Sequence, residues 1–160
     1  MSRIPRFALI LFVASVAGVT AQQKSADKPK DKPTMKYVAT EGAPKAVGPY
    51  SQAVVEGGFL FASGQLPLDP KTGEMVAGPI EQSAERIFDN LEAVLKEAGL
   101  TLADVVKTTV FLTKTEDFPA MNAVYGRRFG DHRPARSTVT VAGLPRNAPL
   151  EIDLVARVKP

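Results

Sequence analysis

The residues best suited to chemistry fall in two short stretches, Arg136-Ser137-Thr138 and Leu150-Glu151-Ile152. In an extended Arg136-Ser137-Thr138-Val139-Thr140-Val141, side chains alternate, so Val139 and Val141 share one face and Arg136, Thr138 and Thr140 the other. An arginine among small hydroxyl residues on a strand can clamp a carboxylate through two parallel hydrogen bonds; its plainer role is a surface salt bridge. Glu151 opens a second alternating run, with Ile152, Leu154, Ala156 and Val158 against Glu151, Asp153 and Arg157. A carboxylate there can orient a water as general base, or simply be an exposed polar residue. Gly48-Pro49-Tyr50 sets an aromatic hydroxyl behind a rigid turn, and Ser63-Gly64-Gln65 ends a strand with a glycine that admits a ligand close to the backbone. The ordinary alternatives are a partly buried core tyrosine and a turn glycine. His132, between Gly130-Asp131 and Arg133-Pro134, reads as an exposed loop histidine rather than a catalyst. It is the only histidine, and there is no cysteine. That excludes disulfide frameworks, thiolate nucleophiles, zinc knuckles and iron–sulfur clusters, leaving carboxylates, arginines, hydroxyls and backbone amides.

The elements that must position these residues are regular. Ser51–Val55 and Phe59–Ser63 are apolar runs joined by Glu56-Gly57-Gly58, whose glycines suit a tight hairpin, and a further apolar run ends at Val38. After the turn-forming Asp69-Pro70-Lys71-Thr72-Gly73, the residues Ile80, Ala84, Ile87, Leu91, Val94 and Ala98 recur at helical spacing, with Gly99 placed as a C-terminal cap. Val105–Thr113 reads as a strand buried on at least one face. Asp117, ahead of Phe118-Pro119, predicts a capped second helix through Tyr125, and Arg136–Ala142 and Leu150–Val158 are the last strands. The order β-β-β-α-β-α-β-β gives an α+β fold of 160 residues in one domain. Two helices cover only one face of such a sheet, and association through the other face is the simplest remedy. A hairpin of the last two strands centred on Arg146 would pair Glu151 near Val141, leaving Arg136 roughly 16 Å away. A shared site therefore needs another strand arrangement or residues from different chains.

The basic excess is unevenly placed. Arg3 and Arg6 precede the apolar run Phe7–Val19 and the boundary Val19-Thr20-Ala21, which predicts a signal peptide over residues 1–21, cleaved after Ala21. Its apolar run falls short of the ~20 residues a membrane helix needs, so no stable anchor is expected after cleavage, and the chain is expected to be exported, periplasmic or secreted. Residues 22–35 form a lysine-rich tether too polar to fold, leaving the domain at 36–160. From Met35 onward there are fourteen basic and fifteen acidic side chains. That balance offers no electrostatic footprint for nucleic acid.

Pro134-Ala135-Arg136-Ser137 followed by Leu150-Glu151-Ile152 resembles the most specific pattern of the RidA family, also called YjgF. Thr40-Glu41-Gly42-Ala43-Pro44, Gly48-Pro49-Tyr50, Ser63-Gly64-Gln65-Leu66-Pro67, Val106-Lys107-Thr108-Thr109-Val110-Phe111 and Asn122-Ala123 are similar to its other segments, so the resemblance spans about Val38 to Val158. It implies a chorismate-mutase-like fold, a homotrimer with sites in the clefts between subunits, and hydrolysis of 2-imino acids, formed from enamines such as 2-aminoacrylate, to 2-oxo acids and ammonia without a cofactor. By the same resemblance Arg136 holds the substrate carboxylate, Glu151 orients water, Tyr50 lines the pocket and the Gly64 backbone touches the ligand. Ser63, Asn122 and Thr138 complete the substrate-binding set, with no metal. Thr138 stands where many members carry cysteine, and the loop from Phe129 to Pro134 is short for a deaminase. Export, away from the usual cytosolic sources of imines, gives an alternative: a non-catalytic small-ligand-binding or holdase-like trimeric module. An endoribonuclease ranks third because the folded body has no basic excess.

Overall fold

The computed structural model describes residues 35–159; the predicted signal peptide, and the tether apart from Met35, lie outside them. Six strands and two helices follow the predicted order: β1 Lys36–Val38, β2 Ala53–Glu56, β3 Phe59–Gln65, α1 Ile80–Glu97, β4 Val105–Leu112, α2 Phe118–Phe129, β5 Ala135–Thr140 and β6 Leu150–Arg157. One sheet has the order β1-β2-β3-β6-β4-β5, antiparallel except for the parallel pair of β4 and β5. The mixed α+β architecture is thus the expected one.

Local chemistry explains most boundaries. Gly57 and Gly58 take φ of 58° and 83°, the left-handed pair that matches a two-residue hairpin to strand twist. At the end of α1, Gly99 has φ 74° and Leu100 N–H reaches back to the Leu95 carbonyl at 2.8 Å, so the predicted cap closes the helix. The start of α2 differs from expectation. Asp117 has near-helical backbone angles and its side chain makes no capping bond, because a 3₁₀ turn over Thr115–Asp117 leads directly into the helix.

The core lies between the helices and one face of the sheet. Ile87, Phe88, Leu91 and Val94 of α1 meet Leu60, Val110, Leu112, Leu150, Ile152 and Leu154, all essentially without solvent exposure. Phe88, Tyr125 and Phe129 pack ring against ring at 4.5–5.8 Å and join the two helices. The opposite face has no cover among the described residues. Across it runs the row Tyr37, Val54, Phe61, Val155 and Lys107, and Phe61 and Val139 are 48% and 43% exposed. On β5 this is the valine face; the Arg136 and Thr138 face is half-buried under α2.

The hairpin considered for the last two strands does not form. β6 inserts between β3 and β4, and β5 lies beyond β4 and parallel to it, so the last two strands flank β4 instead of pairing. Among the described residues no helix is long and apolar enough to cross a membrane.

Candidate active site

Glu151 stands at the start of β6 between Leu150 and Ile152, whose side chains are fully buried in the core. Alternation turns Glu151 to the other side, where the sheet register shifts between Ala62 and Gln65 and Gly64 offers no side chain. The carboxylate lies on that bare backbone: a Cβ at Gly64 would sit 2.7 Å from the carboxylate carbon of Glu151. Burial pushes the Glu151 carboxyl above the usual glutamate range, and Asp153, two residues along the same face, adds to the rise.

A cavity of about 380 Å³ opens over Glu151, bounded among others by Tyr50, Ser63, Gly64, Lys45 and Arg146. Tyr50 is 52% exposed, so it is not a core tyrosine; its N–H closes a tight turn on the Gly48 carbonyl at 2.8 Å. The Ser63 hydroxyl is committed to the Ser51 carbonyl at 2.6 Å, which ties β3 to the segment carrying Tyr50. Gln52, buried just before β2, braces the rim. Its amide donates to the carbonyls of Thr40, Ala43 and Pro44 at 2.9–3.2 Å, and its oxygen accepts Thr40 N–H at 2.6 Å.

Arg136 belongs to a different cavity, of about 340 Å³, bounded by Asn122, Tyr125, Gly126, Phe129, His132, Arg133 and Pro134. Its guanidinium lies 4.4 Å from the Tyr125 ring centre and 5.8 Å from that of Phe118, a cation–π seat that leaves the N–H edges free for an anion. The Tyr125 hydroxyl is held by Thr108 at 2.9 Å. None of the bounding residues is acidic, and among the described residues Arg136 makes no salt bridge. Asn122 joins Arg136 here, and Thr138 lies on the same side of β5 with a buried hydroxyl that has no partner among the described residues.

Register separates the two cavities. Arg136 is level with Thr108 and Glu151 with Phe111, three residues apart on β4 and hence on opposite faces of the sheet. With one strand between them, their Cα atoms are about 14 Å apart. A single chain therefore brings Tyr50, Ser63, Gly64 and Glu151 together, and separately Arg136, Asn122 and Thr138, without uniting the sets.

His132 is half-buried rather than exposed. Its Nε2 lies 2.6 Å from the Val105 carbonyl, pinning the loop after α2 to the start of β4. A wider hollow of about 570 Å³ beside it, between α1, Thr101–Ala103 and α2, contains none of the predicted site residues. Sequence reading overlooked Gln52, Lys45 and Arg146 at the Glu151 cavity. Their only signal was a turn-like Leu144-Pro145-Arg146-Asn147 and polar neighbours around Tyr50.

The family model described as Endoribonuclease L-PSP matches residues 40–158. The chain is 48% identical over 119 residues to a RutC family protein of Pyrococcus abyssi, covering 74% of this chain and 94% of that one. It is 43% identical over 124 residues to the 2-iminobutanoate/2-iminopropanoate deaminase of Dermatophagoides farinae, covering 78% and 97%. The crystal structure of E. coli TdcF with bound serine superposes with a TM-score of 0.74 at 41% identity, covering 78% of this chain and 99% of that one. Matches of this length and identity, the family model spanning β2 to β6, both helices and both cavities, mean that the chain belongs to the Endoribonuclease L-PSP family, known also as RidA, YjgF or RutC.

Proposed function

We propose that this chain hydrolyses 2-imino acids to 2-oxo acids and ammonia, in a homotrimer whose sites pair Glu151 of one copy with Arg136 of the next. The observation that carries this reading is the division of the site: a half-buried carboxylate on one face, and on the other a guanidinium seated on aromatic rings with no ion pair among the described residues. A relative named as an imine deaminase, and bound serine in a similar structure, support a small amino-acid-derived substrate.

In the proposed reaction Arg136, with Asn122 and Thr138 beside it, grips the substrate carboxylate and places the protonated imine against Glu151. The Glu151 carboxylate takes a proton from a water as the water oxygen bonds to C2 and the C=N π electrons pass to nitrogen. Glu151 then returns the proton to nitrogen, ammonia leaves as the C–N bond breaks, and the hydroxyl proton is lost to give the 2-oxo acid. The imine is already electrophilic, so positioning and one proton shuttle suffice and no cofactor is proposed.

Arg136→Ala and Glu151→Gln should each be nearly inactive, assayed as ammonia release from 2-iminopropanoate generated in place by an amino-acid oxidase. Assembled together in equal amounts, the two variants should recover about a quarter of the wild-type rate, because one in four clefts of a cyclic trimer then joins two intact halves. No recovery would refute the split site. A wild-type rate no faster than buffer would remove the enzyme; if 2-oxo acids still stabilised the fold through Arg136, a carboxylate-binding module would remain. The sequence also leads us to propose export: intact mass from the native host should show a chain beginning at Gln22, and a full-length mass confined to the cytosol would contradict it.

A further inference from the structure

Among the described residues, positive φ occurs at six glycines and at only two other positions, Arg146 and Asn147, at 58° and 57°. Two consecutive side-chain-bearing residues in the left-handed region are unfavourable locally and persist only where the surroundings impose them. Here they lie in the Pro145–Asn147 turn that bounds the Glu151 cavity. Asn147 N–H and Ala148 N–H close the turn on the carbonyls of Leu144 and Pro145 at 3.1 and 3.2 Å. One guanidinium nitrogen of Arg146 donates to the Gly73 carbonyl at 2.8 Å. Gly73 is itself fixed, since its N–H closes the Asp69 turn at 2.8 Å and the Asp69 carboxylate accepts the N–H groups of Lys71 and Thr72. An exposed arginine is ordinarily free to wander; this one is moored at the rim.

The charges around the cavity are then uneven. Its charged residues are Glu151, Arg146 and Lys45, and Lys45 already faces Glu41 at 3.3 Å. With the substrate's own carboxylate assigned to Arg136, and the imine to Glu151, the Arg146 guanidinium is left with donors unused. A second anionic group on the substrate would use them.

We propose that Arg146 is a specificity residue and that the site prefers 2-imino dicarboxylic acids, with Arg146 receiving the carboxylate of the substrate side chain. This rests on the deaminase reading and adds the substrate class to it. Because Arg146 is exposed, its effect is on the ratio of rates between substrates and weakens as salt rises.

The test compares kcat/KM for 2-iminosuccinate and 2-iminopropanoate, generated in place by amino-acid oxidases from aspartate and alanine, by competition with a semicarbazide trap. Wild type should favour the dicarboxylic imine. Arg146→Ala should lower the ratio of the two constants about three- to tenfold, and Arg146→Lys should restore much of it. An unchanged ratio in Arg146→Ala, or an equal loss on both substrates, would overturn the proposal. If wild type accelerates neither imine, the deaminase reading fails on its own, and calorimetry with 2-oxoglutarate and 2-oxobutanoate decides the inference. Tighter binding of the dicarboxylate, abolished in Arg146→Ala, would uphold it, and equal affinities in wild type would overturn it.

Discussion

Glu151 is a carboxylate placed where its charge is disfavoured. Burial and Asp153 raise its pKa, so over the interval between the ordinary glutamate value and the raised one the folded chain holds a proton that the unfolded chain has lost. Stability therefore falls as pH rises through that interval and stays lower above it. Glu151→Gln removes the penalty, and its melting temperature should exceed wild type at neutral pH, with the gap closing below the ordinary glutamate pKa; thermal melts against pH measure this. The same variant should lose about 10²–10⁴-fold in kcat if Glu151 is the general base. Gly64→Ala makes the complementary case: its methyl group would overlap the Glu151 carboxylate, so activity should fall while the remainder of β3, paired normally from Phe59 to Ala62, stays folded.

At the scale of elements, the site depends on segments held in place by single buried amides. Asn90 of α1, fully buried, donates to the carbonyls of Leu66 and Leu68 and fixes the chain leaving Gly64. Gln52 does the same for Thr40–Pro44 and through it for the rim beside Tyr50. Gln52→Leu keeps the bulk but strands one N–H and three carbonyls. It should cost about 2–3 kcal/mol in chemical denaturation and reduce activity beyond the loss in stability. Replacing Tyr50 by Phe, by contrast, leaves the turn at Gly48 intact, so denaturation should move by less than about 0.5 kcal/mol.

At the scale of the whole molecule, the face left uncovered among the described residues is where the proposed trimer would form. Tyr37, Val54, Phe61 and Val155 form an apolar row on a sheet whose other side is filled by α1 and α2. Under the proposed trimer this row is buried between copies, so Phe61→Glu should give a folded monomer by light scattering and circular dichroism. Because Arg136 and Glu151 occupy opposite faces of one sheet, that monomer should also be inactive even though it retains both residues. A monomer with full activity would overturn the division of the site.

By itself the sequence determined the elements, because each rests on local chemistry: the glycine pair at Gly57-Gly58, the helical spacing from Ile80 to Val94 capped at Gly99, and the alternation from Leu150 onward. It also offered Arg136 and Glu151 as candidates, each with a plainer reading as a surface ion pair or an exposed polar residue, and the resemblance of Pro134-Ala135-Arg136-Ser137 and Leu150-Glu151-Ile152 to a family pattern is what set them apart. Tertiary structure decided what lay between them. The insertion of β6 between β3 and β4 is a choice among long-range pairings that no local pattern encodes, and it replaced a hairpin with two strands flanking β4. Because side chains alternate along β4, the three-residue offset between Thr108 and Phe111 sent the guanidinium and the carboxylate to opposite faces. Arg146 shows the same limit: at the centre of a turn it carries no signal of function, and only the fold sets that turn beside the Glu151 cavity and ties the guanidinium to Gly73, 73 residues earlier in the chain.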